Sequence, residues 1–174
     1  MRIIAKIDIK QNNLIKSIRY DGVKKIGDPK KFIKKYINFD VDELIILNCT
    51  GSLYNSKIKN DFLKEINSCC NIPISAGGGV KTLGDAKNLI NNGCEKIILN
   101  TLIHENIEET KKIINIFGSS STIGSIQYRK NQNKFETFHT MARVKTRLNL
   151  EDSIDYLEEI EVGEIILNSI NNDG

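Results

Sequence analysis

The sequence predicts an α/β fold, a (βα)8 barrel that is incomplete, with about six strand-helix units present. Two observations carry that expectation. Short runs of Ile, Leu and Val alternate with longer amphipathic stretches, the pattern of strands joined by crossover helices into a parallel sheet. The chain also echoes itself. Asp42-Glu43-Leu44-Ile45-Ile46-Leu47-Asn48 returns as Gly163-Glu164-Ile165-Ile166-Leu167-Asn168, and Ile3 to Asp8 returns as Thr122 to Gln127. Both spacings are near 120 residues, as two duplicated halves of four units each would give (about 120 per half). The whole is therefore read as one domain, 1–174, with a first half-barrel over 1–120 and the start of a second over 121–174. Eight strands are implied and six are found, so the chain is expected to be part of a longer one.

The elements follow in order. Ile3 to Ile9 is the first strand, and a polar loop with Gly22 and Gly27 leads to a helix opening at Asp28-Pro29, where aspartate caps and proline occupies the first turn. That helix is expected to end near Tyr36. Leu44 to Leu47 is the second strand, followed by a helix over about 57–68. Ile72 to Ser75 is the third, followed by Gly77-Gly78-Gly79 and a helix over 83–91 that Gly93 closes. The fourth strand is Lys96 to Leu99, with a helix over 107–117 ending at Gly118. Thr122 to Gln127 is the fifth strand. Alternating aromatics over 128–140 read as an inserted hairpin, after which come a helix over 150–160 and a sixth strand over 164–167.

Composition narrows the function. Lysine clusters such as Lys24-Lys25 and Lys34-Lys35 are interleaved with acids, the net charge is +3, and aromatics are 6% of the chain, too few for a base-stacking surface. No nucleic-acid partner is expected. No apolar run approaches the roughly 18 residues of a membrane span, so the expected location is the cytosol. Cys49, Cys69, Cys70 and Cys94 lack paired metal-ligand spacing and read as buried free thiols; no metal or other cofactor is expected.

In a barrel the ligand lies where strands end, and these ends are polar: Asp8, Asn48, Gly77 to Gly79, Asn100-Thr101, Gln127 and Asn168-Ser169. Glycines between a strand and a helix can present backbone N–H groups to an anion at the helix N-terminus, so Gly78 and Gly79 with Asn100 and Thr101 are the expected phosphate site. Asp8 is free to act as acid or base, but Gln127, at the symmetry-related position, cannot exchange a proton. At the opposite ends, Arg2, Glu43, Lys96 and Glu164 each open a strand, and two charges of each sign are expected to meet as a salt-bridged ring on the barrel axis.

These residues resemble a known family, the cyclase (HisF) subunit of imidazole glycerol phosphate synthase. The resemblance runs over essentially the whole chain, through Ile3 to Lys10, Gly27-Asp28-Pro29, Ala76-Gly77-Gly78-Gly79-Val80, Ile98-Leu99-Asn100-Thr101 and Gly163 to Gly174. It implies a barrel of about 250 residues whose glutaminase (HisH-like) partner docks at the N-terminal face. Ammonia from that partner would pass a charged gate formed by Arg2, Glu43, Lys96 and Glu164. By resemblance Asp8 is the first catalytic aspartate, and Gln127 stands where a second belongs. Lys16, Gly78, Gly79, Asn100, Thr101, Asn48, Asn168, Asp173 and Gly174 then hold a phosphorylated small molecule. Asn48 stands where the family has aspartate and Asn168 where it has threonine.

With the gate kept and the rim altered, the chain looks like the paralogues that amidate sugars of bacterial surface polysaccharides, to which Ser52-Leu53-Tyr54 also points. The alternatives are the histidine-biosynthesis cyclase itself and a non-catalytic scaffold that only conducts ammonia. The related sugar-phosphate isomerase of the same pathway fits less well, because the gate set is complete.

Overall fold

The computed structural model describes residues 1–174. Strand β1 (Ile4–Lys10) runs into an antiparallel hairpin, β2 (Asn13–Ile18) and β3 (Asp21–Gly27), and then α1 (Pro29–Asn38). Asp28 caps α1 by accepting from the Lys30 N–H, with Pro29 in the first turn. Next come β4 (Glu43–Asn48), the short α2 (Gly51–Tyr54), α3 (Asn60–Cys69), β5 (Ile74–Gly77) and α4 (Leu83–Asn91). Thr82 and Asp85 close a reciprocal capping box on α4. The chain continues through β6 (Lys96–Leu99), α5 (Thr101–Glu105), α6 (Ile107–Phe117) and a 3-10 turn to β7 (Thr122–Asn131). Strands β8 (Lys134–His139) and β9 (Val144–Asn149), helix α7 (Leu150–Glu159) and strand β10 (Glu164–Ser169) complete it.

Six parallel strands form the wall of an unclosed barrel, in the order β1-β4-β5-β6-β7-β10. Alternation sorts their side chains. Ala5, Ile7, Leu44, Ile46, Ile74, Ala76, Ile97 and Leu99 pack outward against the helices as the main core. Ile45, Ile98 and Ile123 form a smaller cluster on the axis with Ile4, Leu47 and Ile166.

The polar loop expected before α1 is instead the β2–β3 hairpin. Its turns are made by Gln11-Asn12 (φ 49° and 61°) and Arg19-Tyr20 (φ 53° and 63°), left-handed pairs without the Asn-Gly or Asp-Gly signature that announces such turns. The inserted hairpin is also larger than expected: β7 pairs with β8, and β8 with β9, out to Asn149. Short helices α2 and α5 were hidden in segments read as loops. Cys69 is exposed and Cys49 half-buried, so only Cys70 and Cys94 fulfil the expectation of buried thiols.

The wall has a gap. β1 pairs with β4 on one edge and meets β2 on the other only at Ile9 and Lys10, while β10 pairs with β7 alone. The free edges of β1 and β10 therefore lie on either side of that gap, which is bridged at both ends by side chains and, beside the β2–β3 turn, by a backbone bond from the Arg19 N–H to the Asp173 carbonyl at 2.8 Å. At the N-terminal ends, Arg2 lies 3.0 Å from Glu164. At the C-terminal ends, the Asp173 carboxylate accepts from Ser17 Oγ at 2.7 Å and from the Tyr20 N–H at 2.8 Å.

Candidate functional site

At the N-terminal ends of the strands four charges close a ring. Lys96 Nζ donates to Glu43 at 3.1 Å and to Glu164 at 2.9 Å, and Arg2 lies 3.6 Å from Glu43 and 3.0 Å from Glu164. The charges alternate in sign. Glu43 is buried and also accepts from Ser75 Oγ, while Arg2 is half exposed. Burial alone would raise the Glu164 carboxyl, but Lys96 and Arg2 outweigh it and hold it below the usual range. Lys96 is held above its ordinary value, because its two carboxylate partners outweigh its desolvation.

At the opposite ends a polar cleft is lined by Asn48, Ser52, Gly78, Gly79, Asn100, Thr101, Ser125 and Gln127, with Cys49 and Met141. The expected phosphate residues Gly78, Gly79, Asn100 and Thr101 thus come together. Gly78 (φ 93°) and Gly79 (φ 83°) are required by packing as well as by conformation. A Cβ on either would strike the carbonyl oxygen of Asn48 or Ser56. The loops after β4 and β5 are therefore pressed backbone against backbone. Asn48 is buried and faces this loop contact: its Nδ2 donates to the Ser56 carbonyl at 3.0 Å, and its Oδ1 accepts from Thr50. Asn100 Nδ2 donates to the Ser125 carbonyl at 2.7 Å, and Asn168 Nδ2 to Ser125 Oγ at 3.0 Å.

The turn between β8 and β9 caps the cleft. Thr140, Met141 and Ala142 are all left-handed (φ 51°, 56° and 57°). The Ala142 N–H donates to Gln127 Oε1 at 2.7 Å, and the Thr140 N–H donates to Thr101 Oγ1 at 3.3 Å. Met141 is buried with Tyr20, Phe138 and Ile170, so both hairpins and the segment after β10 share one apolar cap. Beneath it, His139 bonds Thr140 Oγ1 at 2.9 Å and stacks on His104 at 5.1 Å between ring centroids. Burial first, then His139, pushes His104 down to about 4.

Other expected residues lie apart from the cleft. Lys16 is exposed on the outer part of β2. Asp173 is engaged with the β2–β3 hairpin, beside exposed Gly174. Asp8 sits one strand from the cleft, paired in register with Leu47, which lines it. Reading the sequence missed Lys6, whose Nζ is 3.1 Å from Asp8; two residues before Asp8 on the same strand face, it carried the period-two signal that would have found it. Met141, Thr140 and the histidine pair had no such signal, since only the fold of the second hairpin brings them over the cleft.

A family model described as "Histidine biosynthesis protein" matches residues 2–174. The chain is a HisF-like member of that family. It is similar to the imidazole glycerol phosphate synthase subunit HisF of Pyrococcus furiosus, with 31% identity over 173 residues, 99% of this chain and 69% of the relative. The same subunit of Metallosphaera sedula is 32% identical with the same coverage. A putative imidazole glycerol phosphate synthase subunit hisF2 of Pseudomonas aeruginosa is 34% identical over 177 residues, again 99% of this chain and 69% of the relative. The open barrel of this HisF-like chain is consistent with a (βα)8 family. No helix in it is long and apolar enough to cross a membrane.

Proposed function

We propose that this HisF-like chain is the synthase subunit of a glutamine amidotransferase. Ammonia released by a glutaminase partner at the N-terminal ends of the strands enters past Arg2, Glu43, Lys96 and Glu164. It is added to a phosphorylated substrate held at the opposite rim by Gly78, Gly79, Asn100 and Thr101. The single observation carrying this reading is the ring of alternating charges. An axial layer built only for stability would favour apolar side chains, since burying paired charges brings little net gain. A hydrogen-bonded, charge-balanced constriction instead suits a small neutral molecule.

The acceptor is a sugar of surface-polysaccharide synthesis. Gln127 supports this assignment: its amide does not titrate, and its side-chain oxygen is bound to the Ala142 N–H, so the second acid–base group of a cyclase is lacking. A second reading, the histidine-biosynthesis cyclase, is supported by the family description and by the HisF relatives.

Two measurements test these assignments. With ammonium and the ribulosyl-formimino bisphosphate, the wild-type chain should release no imidazole glycerol phosphate, and Gln127→Asp should leave that unchanged. A rate that rises by about tenfold or more on that substitution selects the histidine reading. With a glutaminase partner, Lys96→Met should lower glutamine-dependent product formation several-fold more than ammonium-dependent formation. Equal effects on both would remove the ring from the ammonia path.

A further inference from the structure

The cleft expected to hold a phosphate has no cation of its own. Gly78, Gly79, Asn100 and Thr101 offer it neutral donors, and no lysine or arginine is among its lining residues. An anion drawn out of water needs a counter-charge or donors fully committed to it. The hydrogen bonds of the cap lead from this cleft to a base. Thr101 Oγ1 lies 3.4 Å from Thr140 Oγ1, which lies 2.9 Å from His139 Nδ1. His139 is buried, with 8% of its surface exposed.

Each hydroxyl in this chain of bonds has one proton to give. With Nδ1 bare, Thr140 gives its proton to the ring, and its oxygen is left to draw the Thr101 hydroxyl away from the cleft. With Nδ1 protonated, the ring donates to Thr140, Thr140 donates to Thr101, and the Thr101 proton is free for an anion. The Thr140 N–H also donates to Thr101 Oγ1, at 3.3 Å, so in that state the oxygen accepts twice from the cap and donates only toward the cleft.

The groups around His139 leave it able to take that proton. Helix α5 brings His104, stacked on it, and Glu105; β9 brings Arg143 and Lys145, which pair with Asp21 and Glu136. On β7, Arg129 lies over the Phe138 ring and Gln127 does not titrate, while α7 meets β8 through Ser153 and Thr137. Burial lowers His139, and Glu105 partly offsets it. His104 is held down to about 4 and so stays neutral beside a charged partner.

We propose that His139 is a positioning residue of the phosphate site, and that binding of a phosphate or sulfate group there takes up one proton from solvent onto His139 Nδ1. This rests on the reading of Gly78, Gly79, Asn100 and Thr101 as that site. The imidazolium supplies the counter-charge through two hydroxyls without entering the cleft. An anion favours the charged ring, so His139 titrates higher in the complex than in the free protein. Affinity therefore rises as pH falls through the interval between the two values.

Sodium sulfate is the probe, because it keeps its charge over about pH 5 to 8, where histidine titrates. Calorimetric titration of the full chain in two buffers of different protonation enthalpy counts the protons taken up. Wild type should take up to about one per sulfate and bind about tenfold more tightly at the acid end. His139→Gln, which can still bond Thr140 but does not titrate, should bind without uptake and with a flat pH profile. His104→Asn should keep the uptake. The chain has only two histidines, so that variant holds a single ring, whose Nδ1 should move to the imidazolium position in proton–nitrogen spectra when sulfate is added. The spectrum needs no change at His139. Sulfate binding that Thr101→Val abolishes but that carries no proton uptake overturns the inference, as does uptake that persists in His139→Gln. A wild type that binds no sulfate at any pH overturns the phosphate site itself, and the inference with it.

Discussion

At the scale of single residues, the stacked histidines under the β8–β9 turn make stability depend on pH with a definite sign. The folded state holds His104 near 4 against an ordinary value of 6.5, so between those values the unfolded chain binds more protons. Stability from this residue is therefore full above about pH 6.5 and is lost as pH falls toward 4, by roughly 2–3 kcal/mol in all. His139 is lowered by burial, partly opposed by Glu105, and adds in the same direction. Urea titrations of wild type and His104→Asn across pH 4 to 7 should show a flatter slope in the variant. Residue chemistry at the strand ends was legible before the fold was known, because polar groups at the end of an apolar strand have few other reasons to be there. Where those side chains point was not: Asn48 turns to the loop contact and Gln127 to the Ala142 N–H, and both outcomes are set by neighbours distant in sequence.

At the scale of elements, the sequence was most legible where local chemistry and period agree. Helices α4 and α6 and strand β6 match their expected spans, since capping residues and Gly93 or Gly118 mark their ends. It was least legible at β2–β3, whose turns use Gln-Asn and Arg-Tyr in conformations usually given to glycine. The contact between the loops after β4 and β5 is fixed by glycine in a way that invites a test. Gly78→Ala would add a methyl group against the Asn48 carbonyl at φ 93°, and should cost about 3 kcal/mol in urea denaturation. Gly84→Ala, with ordinary space around its Cβ, should change stability by less than about 1 kcal/mol and serves as the control.

At the scale of the whole molecule, the repeat spacing announced the barrel, but the way its two free edges meet is a tertiary result. Lys96→Met would leave buried Glu43 with only Arg2 and Ser75, and should destabilise the fold by about 3 kcal/mol. The lowered Glu164 carboxyl gives stability that is present above its unfolded value of 4.5 and lost as pH falls through the lower folded value. Between β1 and β10 the unclosed wall is thus bridged without a strand ladder, by the Arg2–Glu164 ion pair at one end and by hydrogen bonds to Asp173 at the other. Salt screens the half-exposed ion pair and leaves ladders alone. Raising ionic strength should let the seam breathe, quickening deuterium uptake along β10 while the amides of β5, locked between two neighbours, keep their pace.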